Sequence, residues 1–376
     1  MKQAATQTVL PYVIGLMSGT SLDGVDAALV QFPPAAPPRL VHAHHQPYPQ
    51  TLRQAVLAVC QGQAVTLAAV GALDVQLARA YAGAVQALLQ QAGVQAGQVQ
   101  VLGAHGQTVH HQPGGAERFS MQLGDPNTLA VATGITVVAD FRRRDMALGG
   151  QGAPLAPGFH DQVLRHADRA RVVLNGGGIA NVSLLLPGQP CRGWDTGPAN
   201  ILLDAWAQQH LGQPFDADGA WAASGQVQAA LLQALLADPY FAQQPPKSTG
   251  RERFGAGWLQ QRLADHGQSL APADVQRTLL ELSVETVAQP VAAAAAGGDL
   301  MVCGGAARNG YLLQRLAQRL PGWQVAPTDA WGVPAQWMEA MAFAYFAHCT
   351  LAGVAASVPT VTGASRACVL GGVYCA

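Results

Sequence analysis

The chain has 376 residues, of which 49% are hydrophobic and only 11% charged, against roughly 25% charged in an average soluble domain. That length and composition exclude a disordered chain and predict two globular domains with sparsely charged surfaces. With 21 basic and 22 acidic residues the formal charge is −1, so no net field favours nucleic acid or an anionic membrane.

In chain order, the apolar run 12–19 meets the turn Thr20-Ser21-Leu22-Asp23-Gly24 and returns as a second apolar run, 25–32. This reads as a strand, a tight turn and an antiparallel strand. A short proline-rich loop, 33–38, follows, and residues 67–91 carry apolar side chains at helical spacing (Val70, Leu73, Leu77, Tyr81, Val85, Leu88). Residues 99–102 predict a buried strand ending in Gly103-Ala104-His105-Gly106-Gln107-Thr108. Residues 135–139 predict another, ending in Asp140-Phe141-Arg142-Arg143-Arg144. Polar residues at the ends of parallel strands are where open α/β sheets place ligands. Residues 149–157, rich in glycine and proline, read as the crossover between domains.

About 160 residues after the first hairpin its build repeats. Apolar 171–175 meets Gly176-Gly177-Gly178-Ile179-Ala180-Asn181 and returns as 182–186. The repeat predicts an internal duplication, each half opening with a hairpin whose turn offers backbone N–H groups. Helical patterns follow at 201–211 and 227–236, then a strand at 300–303 running into Gly304-Gly305, and an amphipathic helix at 311–320. The uncharged stretch 340–358 is alanine-rich, carries His348 and has Gly353 inside, which predicts a buried helix and loop rather than a membrane span. No secretory signal is expected either, because 9–17 is short and broken by Pro11. Six cysteines without a C-x-x-C pair predict reduced thiols in a cytoplasmic protein.

The only lysines are Lys2 and Lys247, and neither stands in a Walker-type frame, so that phosphate loop is excluded. Gly19, Thr20, Ser21, Asp23, Gly24 and Asp26 nevertheless join hydroxyls, glycines and carboxylates in one turn. Such a set suits phosphate oxygens and a magnesium ion, or else makes an ordinary Asp-Gly hairpin turn. Gly176-x-Gly178-x-x-Asn181 invites a dinucleotide reading, which the strand-like sequence after Asn181 disfavours. Asp195, before Thr196-Gly197-Pro198-Ala199-Asn200, reads as a helix cap or as a general base in a cleft. His105, His110 and His111 lack acidic or thiolate companions at metal spacing.

Ile14–Asp26 (IGLMSGTSLDGVD) closely resembles the opening signature of the anhydro-N-acetylmuramic acid kinase family. So do GAHGQTVH at 103–110, QLGDPN at 122–127, ADFRR at 139–143, GGQGAP at 149–154, NGGGIAN at 175–181 and DTGPAN at 195–200. PKSTGRERF at 246–254 and QWMEAMAF at 336–343 continue the match in the family's order over nearly the whole chain, with minor departures at Leu22 and Trp194.

The resemblance implies an α/β, actin-like ATPase (ribonuclease H-like) fold of two duplicated domains around a central cleft. Residues 1–142 and 143–367 would be the two domains, and 368–376 a segment returning to the first. It implies ATP with Mg2+ as co-substrate, near Asp23 and Asp26, with no protein metal ligand assigned. The first phosphate loop would be Gly19, Thr20, Ser21, Leu22, Asp23, Gly24, Val25 and Asp26. Gly176, Gly177, Gly178 and Asn181 would form the second, and Gly304, Gly305 and Asn309 the adenosine motif. Asp195 would be the catalytic base, with His105, Gln107, Thr108, Arg142, Thr196 and Glu339 around the sugar. The implied substrate is 1,6-anhydro-N-acetylmuramic acid, opened and phosphorylated at O6 by a cytoplasmic homodimer of cell-wall recycling. A rival expectation is an actin-like kinase acting on a free hydroxyl of an acetamido sugar.

Overall fold

The computed structural model describes residues 10–376 except Thr20, Ala35 and Glu252. The described residues divide into two units, 10–152 with 339–357 and 366–376, and 153–338 with 358–365.

The first unit is built on strands β1 (Tyr12–Ser18), β2 (Gly24–Gln31), β3 (Arg39–Pro47), β4 (Val99–Gln112), β5 (Phe119–Leu123) and β6 (Val137–Ala139). The second holds β7 (Arg171–Gly176), β8 (Ile179–Leu185), β9 (Arg192–Pro198), β10 (Gly298–Cys303) and β11 (Trp323–Pro327). A final strand, β12 (Gly372–Tyr374), pairs antiparallel with β6 of the first unit. The first sheet runs β12-β6-β4-β1-β2-β3, with β5 on β4, and the second runs β11-β10-β7-β8-β9. In each unit three consecutive strands form an antiparallel meander, and the next strand joins the first of them in parallel. The two sheets therefore share one order and one set of senses, which is the ribonuclease H-like plan of the actin-like ATPases, present twice. The duplication expected from the paired hairpins is borne out. The dinucleotide reading fails, because β8 returns antiparallel to β7 where a helix would be needed.

β1 and β7 sit inside their sheets and read as near-continuous apolar runs, as strands buried on both faces must. The long helices Leu67–Ala92 and Pro272–Ala294 supply the apolar faces that cover the two sheets. Four local readings change. The strand expected over 99–102 does not end at Gly103 but runs to Gln112, because β4 continues past the parallel pairing to bind β5. Pro198 closes β9 and does not open a helix; the helix begins at Asn200, so Asp195 is no helix cap. The unit boundary lies at Gly152, inside the crossover read at 149–157, and not after Arg142. Arg142 donates to the Gly152 carbonyl, the buried Asp145 carboxylate accepts the Gly152 N–H, and Arg118 donates to the Gly149 carbonyl. Finally, residues 339–357 leave the second stretch of chain and belong to the first unit.

That return is made by the helix Met338–Leu351, whose alanine-rich body is buried nearly all round. It lies against Gly15 and Gly103, register partners on β1 and β4. A Cβ on Gly15 would stand 1.8 Å from the Ala340 carbonyl oxygen, and one on Gly103 2.1 Å from that of Phe343. Only glycine permits such an approach. No helix of the described residues is long and apolar enough to cross a membrane.

Two predictions arise from this packing. Gly15→Ala forces the helix off its strand pair, with an expected loss of about 3 kcal/mol, the upper end for overpacking; a thermal melt unchanged from wild type would refute the contact. In the second unit His160 is fully buried with Nδ1 2.8 Å from Ser183 Oγ, and burial lowers its pKa from 6.5 to about 3. The unfolded chain thus binds a proton that the folded chain refuses between those two values. Stability is full above about pH 6.5 and falls as the solution is acidified, by about 1.4 kcal/mol per pH unit for this group. Urea titrations from pH 7 to pH 5 should show a flatter dependence in His160→Asn than in wild type.

Candidate active site

In the first unit the turn between β1 and β2 is shaped by its backbone and by one buried peg. Leu22 takes a left-handed conformation (φ 57°) and is 4% exposed. Its side chain enters the core while Ser21 and Asp23 remain exposed, Ser21 Oγ donating to Asp23 Oδ1 at 2.7 Å. Val25 is also core, so Leu22 and Val25 present only backbone to a ligand. Thr20 lies outside the described residues. Gly24 is forced by its neighbour strand, since a Cβ there would meet the Gln46 carbonyl at 2.3 Å. Asp26 on β2 is bound at 2.7 Å by His45 Nδ1 from β3. Sequence reasoning missed His45, because nothing in its spacing reveals the pairing of Asp26 with His45.

Behind the turn lies a buried hydroxyl chain. Ser18 Oγ and Tyr81 Oη are 2.7 Å apart, and Gln107 Nε2 donates to the Gly19 carbonyl at 3.2 Å. Burial raises the Tyr81 pKa well above its usual value and keeps the phenol protonated. Gln107 is therefore a brace for the turn, and Thr108 accepts from Gln122 Nε2 at 3.1 Å.

His105 is 4% exposed and sits behind Arg142, whose Nε and Nη2 both donate to His105 Nε2, at 3.0 and 2.8 Å. Burial first, and the Arg142 charge second, hold His105 neutral. With Nε2 accepting, the ring proton belongs on Nδ1. The Phe343 ring packs on the imidazole with centroids 4.6 Å apart. Glu339 stands one turn earlier on the same helix. The structure thus gathers His105, Arg142 and Glu339, far apart in sequence, within one unit.

In the second unit the triple-glycine turn and Gly304-Gly305 come together. A Cβ on Gly176 would meet Ala306 Cβ at 2.2 Å, and one on Gly304 (φ 73°) would meet Asn175 Oδ1 at 2.7 Å. The carbonyls of Gly177 and Gly178 accept the N–H groups of Asn200, Ala199 and Ile201, fixing the turn to the start of the helix Asn200–Leu211. Asn309 is committed to capping the next helix through Leu312 N. Asn175, Asn181 and Asp195 are successive register partners on β7, β8 and β9, so their side chains share one face of the sheet. Thr196 is turned to the other face, where it is buried and donates to the Ala180 carbonyl. There it joins Trp194, Phe241, Lys247 and Gln289 around a cavity of about 610 Å³.

Asp195 lies on the edge strand of its sheet, and the segment 246–254 supplies what a neighbouring strand would. Asp195 N donates to the Lys247 carbonyl at 3.2 Å, and Thr249 N donates to Asp195 Oδ2 at 3.0 Å. Tyr240 Oη donates to the Asp195 carbonyl at 2.6 Å. The strap is itself tied down: Lys247 Nζ donates to the Tyr240 and Phe241 carbonyls, and Arg253 pairs with the buried Asp238. Sequence reasoning quoted this motif without giving it a role, since about fifty residues separate it from Asp195. Among the described residues no group of three or more His, Cys, Asp or Glu side chains gathers as a metal site.

The family model for anhydro-N-acetylmuramic acid kinase matches residues 11–376. Among solved structures, the chain is 11% identical to the activator of the 2-hydroxyisocaproyl-CoA dehydratase from Clostridium difficile with bound ADPNP. That match covers 89% of this chain and 94% of the other at a TM-score of 0.45. It is 11% identical to component A of the (R)-2-hydroxyglutaryl-CoA dehydratase from Acidaminococcus fermentans, covering 91% and 99% at 0.46. A ROK family glucokinase from Streptomyces griseus, in complex with glucose and AMPPNP, is 15% identical over 90% and 99%, at 0.39.

The strap yields a prediction. Lys247→Met removes both ammonium hydrogen bonds, about 1–2 kcal/mol of local stability. Amide hydrogen exchange at Asp195 and Thr249 should then accelerate about tenfold, and unchanged exchange would show that the strap is held by other contacts.

Proposed function

The chain belongs to the anhydro-N-acetylmuramic acid kinase family, and from that premise we propose that it opens 1,6-anhydro-N-acetylmuramic acid with water while passing the γ-phosphoryl group of ATP to O6. The products are N-acetylmuramate 6-phosphate and ADP. The observation that carries the reading is the Asp195 carboxylate, held by the Thr249 N–H in one row with the side-chain amides of Asn175 and Asn181.

A 1,6-anhydro sugar has no free 6-hydroxyl. Water attacks C1, the C1–O6 bond breaks, and O6 takes the phosphoryl group as the bond to the β-phosphate oxygen breaks. This is an inverting glycoside opening whose leaving oxygen meets phosphorus in place of a proton. One carboxylate base is therefore enough, and Asp195 is assigned to it. The assignment gives the Gly19–Asp26 turn to the ATP phosphates. The exposed Asp23 and half-exposed Asp26 carboxylates are hard oxygen donors that fit Mg2+, which would offset phosphate charge. Gly176–Gly178 and Asn181 are assigned to the same nucleotide, with Gly304, Gly305 and Asn309 at its adenosine. His105, fixed as a neutral Nε2 acceptor, orients the Arg142 fork, the arginine geometry suited to the lactyl carboxylate. Gln107, Thr108 and Glu339 complete the assigned sugar site; Thr196, expected there, is turned to the other face of β9 and does not join it. The reading carries with it a cytoplasmic homodimer serving peptidoglycan recycling.

Asp195→Asn preserves size and the Thr249 contact but cannot take a proton. Turnover should fall by about 10²–10⁴-fold with both substrates still bound. In the wild type, ¹⁸O from labelled water should enter at C1 and be absent from the transferred phosphate. Label in the phosphate, or phosphorylation of free N-acetylmuramate alone, would overturn the reading in favour of a kinase acting on a free hydroxyl.

A further inference from the structure

Two oxygen atoms beside the Asp195 carboxylate are buried without a partner among the described residues. One is Thr249 Oγ1, on the residue whose own N–H donates to Asp195 Oδ2 at 3.0 Å. The other is Asn181 Oδ1, on the residue directly opposite Asp195 in the β8–β9 register. A buried polar oxygen left unmatched costs about 1–3 kcal/mol. Two of them flanking one carboxylate, on a face built from three strands and a strap, therefore mark a place made for a small polar ligand. A water molecule needs two to four polar partners. A carboxylate, a hydroxyl and an amide oxygen supply three, and a threonine hydroxyl both donates and accepts.

We infer that Thr249 is a further catalytic residue, its hydroxyl holding the attacking water while its N–H fixes the base; the inference rests on Asp195 being that base. One water proton points to Asp195 and passes to it as the water oxygen bonds to C1. The second stays on oxygen, directed at Asn181 Oδ1, and becomes part of the new C1 hydroxyl. The Thr249 O–H donates to one lone pair of the water and leaves the other for C1. C1–O6 breaks, O6 bonds to the γ-phosphorus, and ADP leaves. Because hydroxyl and N–H belong to one residue, the water and the base are held in register with each other by a single rigid backbone unit. That unit is anchored by the Lys247 carbonyl on Asp195 N and by the Lys247 ammonium on the Tyr240 and Phe241 carbonyls.

The test compares Thr249→Val, Thr249→Ser and Asp195→Asn in steady-state kinetics with ATP-Mg2+ and anhydro-N-acetylmuramic acid each varied. Thr249→Val keeps the N–H and the shape and loses only the hydroxyl. Its kcat should fall about 10–100-fold while both KM values stay within about twofold, and Thr249→Ser should recover to within about threefold of wild type. Thr249→Ala replaces the valine variant if that one does not fold, with the same expectation. Wild-type kcat in Thr249→Val, or an equal loss in Val and Ser, overturns the hydroxyl's role. If that happens while Asp195→Asn is inactive, only this inference fails. A fully active Asp195→Asn removes the base, and this inference with it.

Discussion

The first unit depends on one close approach: the helix Met338–Leu351 lying backbone to backbone on β1 and β4. Gly15 and Gly103 stand side by side in register, and a Cβ on either would fall inside the helix main chain. The contact brings a late segment of the chain into the first unit, and three consequences follow. Phe343 lands on the His105 ring, the buried imidazole is left to accept from Arg142, and Glu339 is set one turn away. Packing of small residues thus decides which polar groups share a neighbourhood.

The second unit uses the same device for another purpose. Gly176 at the end of β7 is pressed against Ala306, and Gly304 against Asn175, so two glycine-rich turns distant in sequence form one surface. Glycine serves there by lacking a side chain, and at Gly304 also by tolerating a positive φ. The carbonyls of Gly177 and Gly178 are spent on the start of the helix Asn200–Leu211, which ties the turn to rigid structure.

Edge strands ordinarily present unpaired backbone groups. Here the edge strand β9 carries the proposed base, and the strap 246–254 both covers that edge and grips the carboxylate. Protection of the sheet edge and orientation of Asp195 are one set of hydrogen bonds. Two polar atoms beside it, Thr249 Oγ1 and Asn181 Oδ1, are buried without a partner among the described residues, a desolvation cost characteristic of a site for a polar ligand.

The sequence by itself determined the duplicated hairpins, the first long covering helix, Leu67–Ala92, and the buried character of residues 340–350, because periodicity and apolar runs are local properties that burial imposes directly; the second covering helix, Pro272–Ala294, was not read. Its motifs also identified the family and singled out Asp195. Which residues surround Asp195 was decided by tertiary structure alone. The third meander strands, β3 and β9, were not legible as strands, and with them went the His45–Asp26 pair and the polar row through Asn175, Asn181 and Asp195. The unit boundary at Gly152 falls inside the crossover read at 149–157, whereas the bonds of Arg142, Asp145 and Arg118 to loop backbone, which keep 143–152 in the first unit, were not legible. Register and strap contacts join residues tens to hundreds of positions apart through backbone hydrogen bonds, which every residue type can make, so no local pattern of side chains encodes them.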